Sequence, residues 1–213
     1  MPTLSTLLVF AGAALVLAAL PGPGLLYVAG RTLAGGRHVG FASSLGAGLG
    51  GLVHVLAGAL GVSALIMTSA TAFAALKVVG GLYLLYLAWQ TWRSAGSAAL
   101  PEGNLSGLWA SAGQALRQGV MVEATNPKTA AFFLALIPQF VDPAQGSVAM
   151  QFGVLGLVSV VLNTAMAVLV VVLAASLRAR VVARPSLLRR LQQGSGAILG
   201  SLGVWLLLSR RPA

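Results

Sequence analysis

The sequence predicts an all-α integral membrane protein with six transmembrane helices, built as two inverted three-helix repeats in which helices 1 and 4 are broken. Of its 213 residues, 58% are hydrophobic and 8% are charged, which leaves too few charges to cover a soluble globule of this size. The apolar runs match helices that cross about 30 Å of hydrocarbon, and they lack the alternation of a membrane barrel. A break at a proline recurs in each half of the chain, and paired breaks are typical of inverted repeats.

The basic charge is distributed as a topology signal. The net charge is +10, but nine of the thirteen lysines and arginines fall in three connecting regions, so we expect no nucleic-acid partner. The chain has no cysteine and only two histidines, which excludes disulfides and argues against a metal site or a bound cofactor. It has neither a metalloprotease motif nor a nucleophile beside a base, and we expect it not to be an enzyme.

The first half of the chain, residues 1–95, is predicted to form one repeat of three helices. Its first apolar segment runs from about residue 4 to 29 and is interrupted by two prolines and two glycines at 21–24, which no regular helix accommodates. The apolar run continues without a cleavage pattern, so we expect this broken helix to remain in the mature protein. The second and third helices are expected at about 40–67 and 72–92.

His54 lies in the second predicted helix on a stripe of small residues spaced four apart. The small residues are Ala42, Gly46, Gly50 and Gly58. Such stripes are where membrane helices approach most closely, so we expect His54 to face the bundle rather than lipid. His54 is a candidate for relaying protons near neutral pH. The alternative is a packing histidine held by a hydrogen bond.

The second half of the chain is separated from the first by a polar linker at 96–111, and the second repeat is predicted to span 112–213. Its first apolar segment, the fourth of the chain, runs from about 112 to 141. The fifth runs from about 147 to 177, and the sixth helix is expected to end near Ser209.

The motif Asn126-Pro127-Lys128 is costly inside the fourth apolar segment. A lysine near the centre of a membrane helix costs about 2.5–3.5 kcal/mol, and Pro127 removes a hydrogen bond that no water can replace. Long apolar stretches lie on both sides of Lys128, so its side chain is too short to snorkel to the surface. We therefore interpret Pro127 and Lys128 as substrate-binding residues. Asn126 either only caps the half-helix or also binds the substrate.

Glu123 is the only acid well inside an apolar segment, because Glu102 lies in the polar linker and Asp142 lies at a helix end. It is the leading candidate for carrying a proton. The alternative is a structural ion pair with Lys128, and the two roles can coexist in one transport cycle. Asn163, in the fifth helix, is a candidate substrate contact, with packing as its alternative role.

The two halves correspond at their breaks, because one constant offset superimposes Pro23 on Pro127 and Gly22 on Asn126. Each half holds three helices, an odd number, so the repeats run in opposite directions across the bilayer. Secondary transporters share this architecture, with the substrate site where the breaks meet. Half-helices that begin there turn free N–H groups toward the break, which suits a carboxylate. The substrate-binding candidates from the first half are Pro21, Gly22 and Pro23.

The positive-inside rule predicts that both termini face the exterior. With the N-terminus outside, the first, third and fifth connections are cytoplasmic, and they hold nine arginines. These arginines are Arg31, Arg37, Arg93, Arg117, Arg178, Arg180, Arg184, Arg189 and Arg190. The exceptions are Lys77 and the arginines at 210 and 211.

Four groups of residues together resemble the LysE/RhtB family of amino-acid exporters. They are Pro21-Gly22-Pro23, Gly35-Gly36-Arg37 with Gly40 and Gly46, Leu76-Lys77 with Gly80-Gly81 and Tyr83, and Asn126-Pro127-Lys128 with Phe132-Phe133 and Pro138-Gln139-Phe140. The resemblance implies export of amino acids such as lysine, homoserine, threonine or leucine across the bacterial inner membrane, coupled to the proton gradient. This chain has Leu20 where members often have threonine, and Gly51 where they often have an acidic residue.

The leading hypothesis is a secondary transporter that exports amino acids by alternating access, with protons as its second ligand and the lipid bilayer as its surroundings. The alternative is an uncoupled membrane channel or a scaffolding membrane protein. A dependence of export on the pH gradient separates the two. The sequence leaves open whether the protein forms a homo-oligomer.

Overall fold

A computed structural model describes residues 1–62, 70–93, 111–176 and 185–208, and these ranges contain helices and no strand. The α-helices in them are α1 (Leu4–Ala19), α2 (Pro23–Ala57), α3 (Ala70–Arg93), α4 (Ala112–Ala124), α5 (Pro127–Ala131), α6 (Val148–Ser176) and α7 (Pro185–Leu208). Shorter π- or 3-10-helical segments are Gly58–Val62, Phe132–Leu136, Ile137–Phe140 and Pro143–Gln145. The predicted all-α class is confirmed for this part of the chain.

Three predicted features lie outside the described residues. They are nearly all of the polar linker at 96–111, most of the arginine-rich connection at 178–190 and the end of the sixth helix near residue 209.

Each of the two predicted breaks separates two helices. α1 ends at Ala19 and α2 begins at Pro23, with Leu20 and Gly22 in extended backbone conformations between them. α4 ends at Ala124 and α5 begins at Pro127. Both prolines stand in the first helical turn, where the missing N–H costs no hydrogen bond. Proline therefore starts a new half-helix on the far side of each break.

The predicted start of the second helix, near residue 40, lies a few residues after a bend at Gly36 that divides α2 into two helical stretches. α2 begins at Pro23 and continues to Ala57, interrupted only at Gly36, which has φ 79° and ψ −176°. A residue with a Cβ rarely adopts that backbone conformation, so Gly36 makes a sharp bend without a loop. The two glycines and the arginine at 35–37 were expected to form a connection, and one glycine with a positive φ is enough to join the two helical stretches.

The stretch of α2 after Gly36 packs closely between α4 and α6, because small residues lie on two of its faces. Toward α4, a Cβ on Gly46 would strike the backbone of Leu116. Toward α6, a Cβ on Gly48 would lie 2.8 Å from the Thr164 hydroxyl, and one on Gly51 would lie 3.0 Å from the Val160 side chain. Close approach of this kind is how helices associate where water supplies no driving force.

Helices α3 and α7 form a second pair. A Cβ on Gly203 would lie 3.0 Å from the Gly81 carbonyl oxygen, so the two backbones are nearly in contact. α3 also contacts the π-helical segment Phe132–Leu136 that follows α5, because a Cβ on Gly80 would overlap the Ala135 side chain. The third helix of each predicted repeat therefore packs against its counterpart.

Two described helices are long and apolar enough to cross a membrane by length and composition. They are α2 with its π-helical continuation, Pro23–Gly61, and α6, with mean hydropathies of 1.5 and 2.6. Large apolar side chains are exposed along several helices, including Leu4 at 73% and Leu60 at 75%. Monomeric soluble proteins rarely show so much exposed apolar surface.

Candidate functional site

A small cavity next to the two breaks lies between α1, α2, α4, α5 and α6. Its polar lining comprises Glu123, Lys128, Thr129, Ser159 and Asn163. Its apolar and glycine lining comprises Ala14, Leu17, Ala18, Ala47, Gly48, Gly51, Phe132, Phe133 and Val160. Three of the residues predicted from the sequence, Glu123, Lys128 and Asn163, therefore share one cavity, with opposite charges on its wall.

Lys128 caps the end of α1 across the first break. Its Nζ donates to the backbone oxygens of Leu17 at 3.0 Å and Leu20 at 2.9 Å. The last carbonyls of a helix have no partner within the helix and carry partial negative charge, so an ammonium there is stabilising. Gly22 makes room for it, because a Cβ at Gly22 would lie 3.0 Å from Lys128 Cδ.

Glu123 is held by three side chains and is only 1% exposed. Its Oε1 accepts from Thr129 Oγ1 at 2.6 Å and from Asn163 Nδ2 at 3.3 Å, and its Oε2 accepts from Asn126 Nδ2 at 2.9 Å. Hydrogen bonds to an ionised carboxylate are among the strong ones. A buried charge is tolerated when it is satisfied in this way.

The Glu123 carboxylate also lies at the beginning of α2. A Cβ built on Gly24 would overlap Glu123 Oε2, so the carboxylate is packed directly against the first turn of that helix. The first N–H groups of a helix are unpaired and carry partial positive charge. The second half of the chain thus supplies an ammonium to the α1 side of the first break and a carboxylate to the α2 side.

Glu123 and Lys128 do not bond directly to each other. Each charge has its own partners, the ammonium on α1 carbonyls and the carboxylate on the side chains of Asn126, Thr129 and Asn163. Of the two interpretations left open by the sequence, a contact ion pair is therefore not formed in this conformation.

Asn126 caps the half-helix, as predicted, and also bonds to Glu123. Its Oδ1 accepts from the Lys128 backbone N–H at 3.0 Å, which caps α5, and its Nδ2 donates to Glu123. It is 2% exposed and does not line the cavity. Pro127 begins α5 beside it. The asparagine therefore ties the start of the half-helix to the buried carboxylate.

Pro21, Gly22 and Pro23 form the first break but do not line the cavity. Their contribution is backbone shape: Gly22 is extended, Pro23 opens α2, and Lys128 passes against Gly22. The first break thus contributes to the cavity indirectly, because the charged groups of Lys128 and Glu123 lie at its two helix ends.

His54 lies behind the cavity rather than in its wall. Its Nε2 is 2.9 Å from the backbone oxygen of Glu123, and its ring is 5.6 Å from the ring of Phe133. It therefore contacts the main chain of Glu123 and not the carboxylate. This placement favours the packing interpretation of His54 over the proton relay.

Two polar lining residues, Thr129 and Ser159, were missed in the sequence. Ser159 stands four residues before Asn163 on the same face of α6, and that spacing could have identified it. Thr129 directly follows Lys128 in the first turn of α5, so a search of that turn for hydroxyl groups could have found it. Gly24 was also missed, because only the structure places the carboxylate against it.

The described residues contain no group of three or more histidine, cysteine or acidic side chains that could hold a metal ion. The charged side chains in the cavity wall are one carboxylate and one ammonium. This set suits a ligand that carries both signs of charge.

A family model of LysE type translocators matches residues 15–210, nearly the whole chain. The chain belongs to this family. It is 31% identical to an uncharacterised membrane protein of Vibrio cholerae over 91% of this chain and 92% of that protein. These matches confirm the resemblance drawn from the proline and lysine motifs.

Two relatives of this LysE type translocator carry names that state a cargo. The homoserine/homoserine lactone efflux protein of Salmonella typhimurium is 32% identical over 67% of this chain and 68% of its own length. The leucine efflux protein of Salmonella choleraesuis is 26% identical over 67% and 66%, respectively. No solved structure matches the chain.

Proposed function

We propose that this LysE type translocator is a secondary transporter that exports amino acids, or close derivatives, from the cytoplasm by proton-coupled alternating access. The observation that carries the proposal is the placement of Lys128 and Glu123 on the two sides of the first break, at the wall of one cavity. An α-amino acid is a zwitterion, and this site offers a partner for each of its charges.

The substrate carboxylate would bind where Lys128 is, and its ammonium would bind where Glu123 is. For the substrate to bind, the Lys128 ammonium exchanges one of its α1 carbonyl partners for the substrate carboxylate. The carbonyls released at the end of α1, together with the Glu123 carboxylate, can then accept from the substrate ammonium. The uncharged lining from Phe132, Phe133 and Val160 surrounds the side chain.

The names of two relatives support amino acids as the cargo. Homoserine and leucine share the α-carboxylate and α-ammonium and differ only in their side chains, so a site built on the two shared charges accommodates both. We propose an amino-acid cargo for this chain because of those two shared charges. A panel of amino acids tests which side chain the cargo carries.

The proposed architecture is six membrane spans in two inverted repeats, 1–95 and 112–213, joined by the linker at 96–111. It is supported by the helix starts at Pro23 and Pro127 and by the packing of α3 against α7. Alternating access then consists of one repeat rocking against the other around the cavity.

Glu123 is the proposed proton carrier. It is the carboxylate in the cavity wall, and it belongs to the same chain segment as Lys128. A proton on Glu123 removes the negative charge that the substrate ammonium needs. Proton and substrate thus compete for one carboxylate, which is the requirement for moving them in opposite directions.

Counterflow in proteoliposomes tests the proposal. The purified protein is reconstituted with each of a panel of unlabelled amino acids inside, and uptake of the same labelled amino acid is measured. We expect the wild type to exchange at least one neutral amino acid and Lys128→Met to lose that exchange, because the substitution removes the charge and keeps the length. Lys77→Met, a lysine in α3 that does not line the cavity, is the matched control.

Export driven by an imposed pH gradient separates a coupled transporter from an uncoupled channel. Accumulation against the substrate gradient requires coupling, whereas a channel only equilibrates the two sides. Absence of exchange for every amino acid in the panel would remove amino-acid transport as the function.

A further inference from the structure

The buried carboxylate of Glu123 is surrounded by hydrogen-bond donors. Asn126 Nδ2 and Asn163 Nδ2 are amide nitrogens, which only donate, and Thr129 Oγ1 is a hydroxyl, which both donates and accepts. An ionised carboxylate accepts from all three. A protonated Glu123 must instead donate one hydrogen bond, and at 1% exposure it has no bulk water to donate to.

The Asn126 amide cannot supply the acceptor. Its Oδ1 already accepts from the Lys128 backbone N–H at 3.0 Å, which fixes Nδ2 toward Glu123 Oε2. A proton on Oε2 would point at Asn126 Nδ2, which is itself a donor and cannot accept it. Protonation is therefore favoured on Oε1, which faces Thr129 at 2.6 Å and Asn163 at 3.3 Å.

Thr129 can reverse its hydrogen bond without moving a heavy atom, because rotation about its C–O bond turns the hydrogen away and presents a lone pair. Asn163 would have to turn its whole amide group over to do the same, and it stands farther from Oε1. The Thr129 side chain also lines the cavity, so its hydroxyl hydrogen, once turned away from Glu123, can point toward the cavity.

We propose that Thr129 is the positioning residue that lets Glu123 exist both with and without its proton, donating to the carboxylate and accepting from the carboxylic acid. The proposal deepens the proposed function, since it rests on Glu123 as the proton carrier. A threonine that only shaped the start of α5 would serve that structural purpose without its hydroxyl reversing.

Few charged or titratable groups lie near Glu123 among the described residues. α5 contributes Lys128, and α2 contributes His54, which contacts the Glu123 main-chain oxygen. From α6 and α1, the cavity lining contains only uncharged residues, among them Ser159 and Asn163. One lysine and one histidine are therefore the charged or titratable neighbours of Glu123, and both stay in place in Thr129 variants.

Infrared difference spectroscopy during an acid titration tests the proposal on the purified full-length protein with no amino acid present. The chain has only three acidic side chains, so the Glu123 carboxylic-acid band is identified as the one missing in Glu123→Gln. The C=O stretch of a carboxylic acid moves to higher wavenumber as its hydrogen bonds are lost. We expect Thr129→Val and Thr129→Ala to shift the Glu123 band upward and Thr129→Ser to leave it at the wild-type position.

Each other outcome overturns the proposal. An unshifted band in both Thr129→Val and Thr129→Ala would mean that another group accepts the proton, with Asn163 the first to examine. A shifted band in Thr129→Ser equal to that in Thr129→Val would reduce Thr129 to a structural role. No Glu123-dependent band at any pH would mean that Glu123 has no neutral form. Because no substrate is used, failure of amino-acid transport leaves this measurement unaffected.

Discussion

The charges of Lys128 and Glu123 act on a broken helix that belongs to the other half of the chain. The ammonium neutralises the carbonyl end of α1, and the carboxylate lies at the N–H end of α2. A membrane helix that stops in mid-span leaves both sets of backbone groups without partners. A break therefore leaves backbone groups in need of partners, and at the first break Lys128 and Glu123 place their charges beside those groups.

At the scale of single residues, Gly24 is predicted to be essential for the position of Glu123. In Gly24→Ala the new methyl group overlaps Glu123 Oε2 and must push the carboxylate away from the start of α2. Misplacing a functional group by about 1 Å can cost about 100-fold in rate, so we expect counterflow to fall by about that factor. Gly12→Ala in α1 is the control, because a Cβ there meets nothing within 4 Å. Equal counterflow in the two variants would show that the carboxylate needs no fixed position.

Asn126→Asp separates the two contacts of Asn126. The aspartate keeps an oxygen to cap the Lys128 N–H, but it places an acceptor against Glu123 Oε2 where the amide donated. We expect the variant to lose transport and also to unfold at a lower temperature than the wild type, because two carboxylates then face each other in a buried site. Asn126→Ala loses both the hydrogen bond to Glu123 and the cap, and the cap alone costs about 1 kcal/mol. Thermal unfolding in detergent and counterflow measure the two effects; transport by Asn126→Asp at the wild-type rate would contradict the assignment.

Sequence alone predicted Lys128 and Glu123 as site residues because burying a charge is costly, and that cost is visible in a sequence. The partners of Lys128 were not predicted, because the Leu17 and Leu20 carbonyls are backbone groups that carry no residue signature. Thr129 was overlooked for a related reason, since a single hydroxyl in an apolar helix costs little and so attracts no attention.

At the scale of helices, α2 combines two rigid stretches joined at one residue. Polar contacts tie its first stretch to α4: the Tyr27 hydroxyl donates to the Ala115 carbonyl at 2.9 Å, and Arg31 donates to Gln118. Small residues fix its second stretch between α4 and α6. Any relative movement of the two stretches must therefore be absorbed at Gly36.

Gly36→Ala is predicted to destabilise this bend. The φ of 79° with ψ of −176° is a conformation that residues with a Cβ avoid, at a cost of about 1–3 kcal/mol. We expect a lower unfolding temperature in detergent, measured beside Gly153→Ala in α6, where a Cβ meets nothing within 4 Å. The steric space around Gly36 is also open, so a loss of stability would come from the backbone alone. An unchanged unfolding temperature would mean that the bend can relax.

The helix breaks were predictable because proline and glycine mark them, whereas the absence of a loop between the two helical stretches of α2 was not. Two glycines followed by an arginine predict a loop, yet only Gly36 leaves the helical conformation, and the chain returns to it at the next residue. Whether two adjacent glycines form a loop or a bend depends on the contacts of the flanking helices. Here those contacts are with α4 and α6, which are distant in the sequence.

At the scale of the whole molecule, the contacts divide the described residues between two ends. The N-terminal ammonium of Met1 donates to the Gln145 carbonyl at 2.8 Å, which puts the start of α1 beside the α5–α6 connection. Arg31 donates to Gln118 in the middle of α4. In the proposed topology, Arg31 and Arg117 lie at the end opposite Met1, on the cytoplasmic side.

The absence of cysteine allows the proposed orientation to be tested directly. Ala144 and Gly113 are small, exposed residues at the two ends, one beside Gln145 and the other in the first turn of α4. With both termini outside, we expect Ala144→Cys to react with a membrane-impermeant maleimide in intact cells, and Gly113→Cys to react only after permeabilisation. The wild-type chain is the blank, because it has no thiol to label.

The orientation decides which side supplies the substrate. In the proposed topology the arginine-rich end faces the cytoplasm, and its positive field attracts the carboxylate of an amino acid before export. The opposite labelling pattern would turn this end outward and reverse that steering. Labelling of both cysteines in intact cells would indicate two orientations in the membrane, contrary to the arginine bias. The expected pattern, Ala144→Cys alone, places the arginine-rich end on the side where the cell makes the amino acids to be exported.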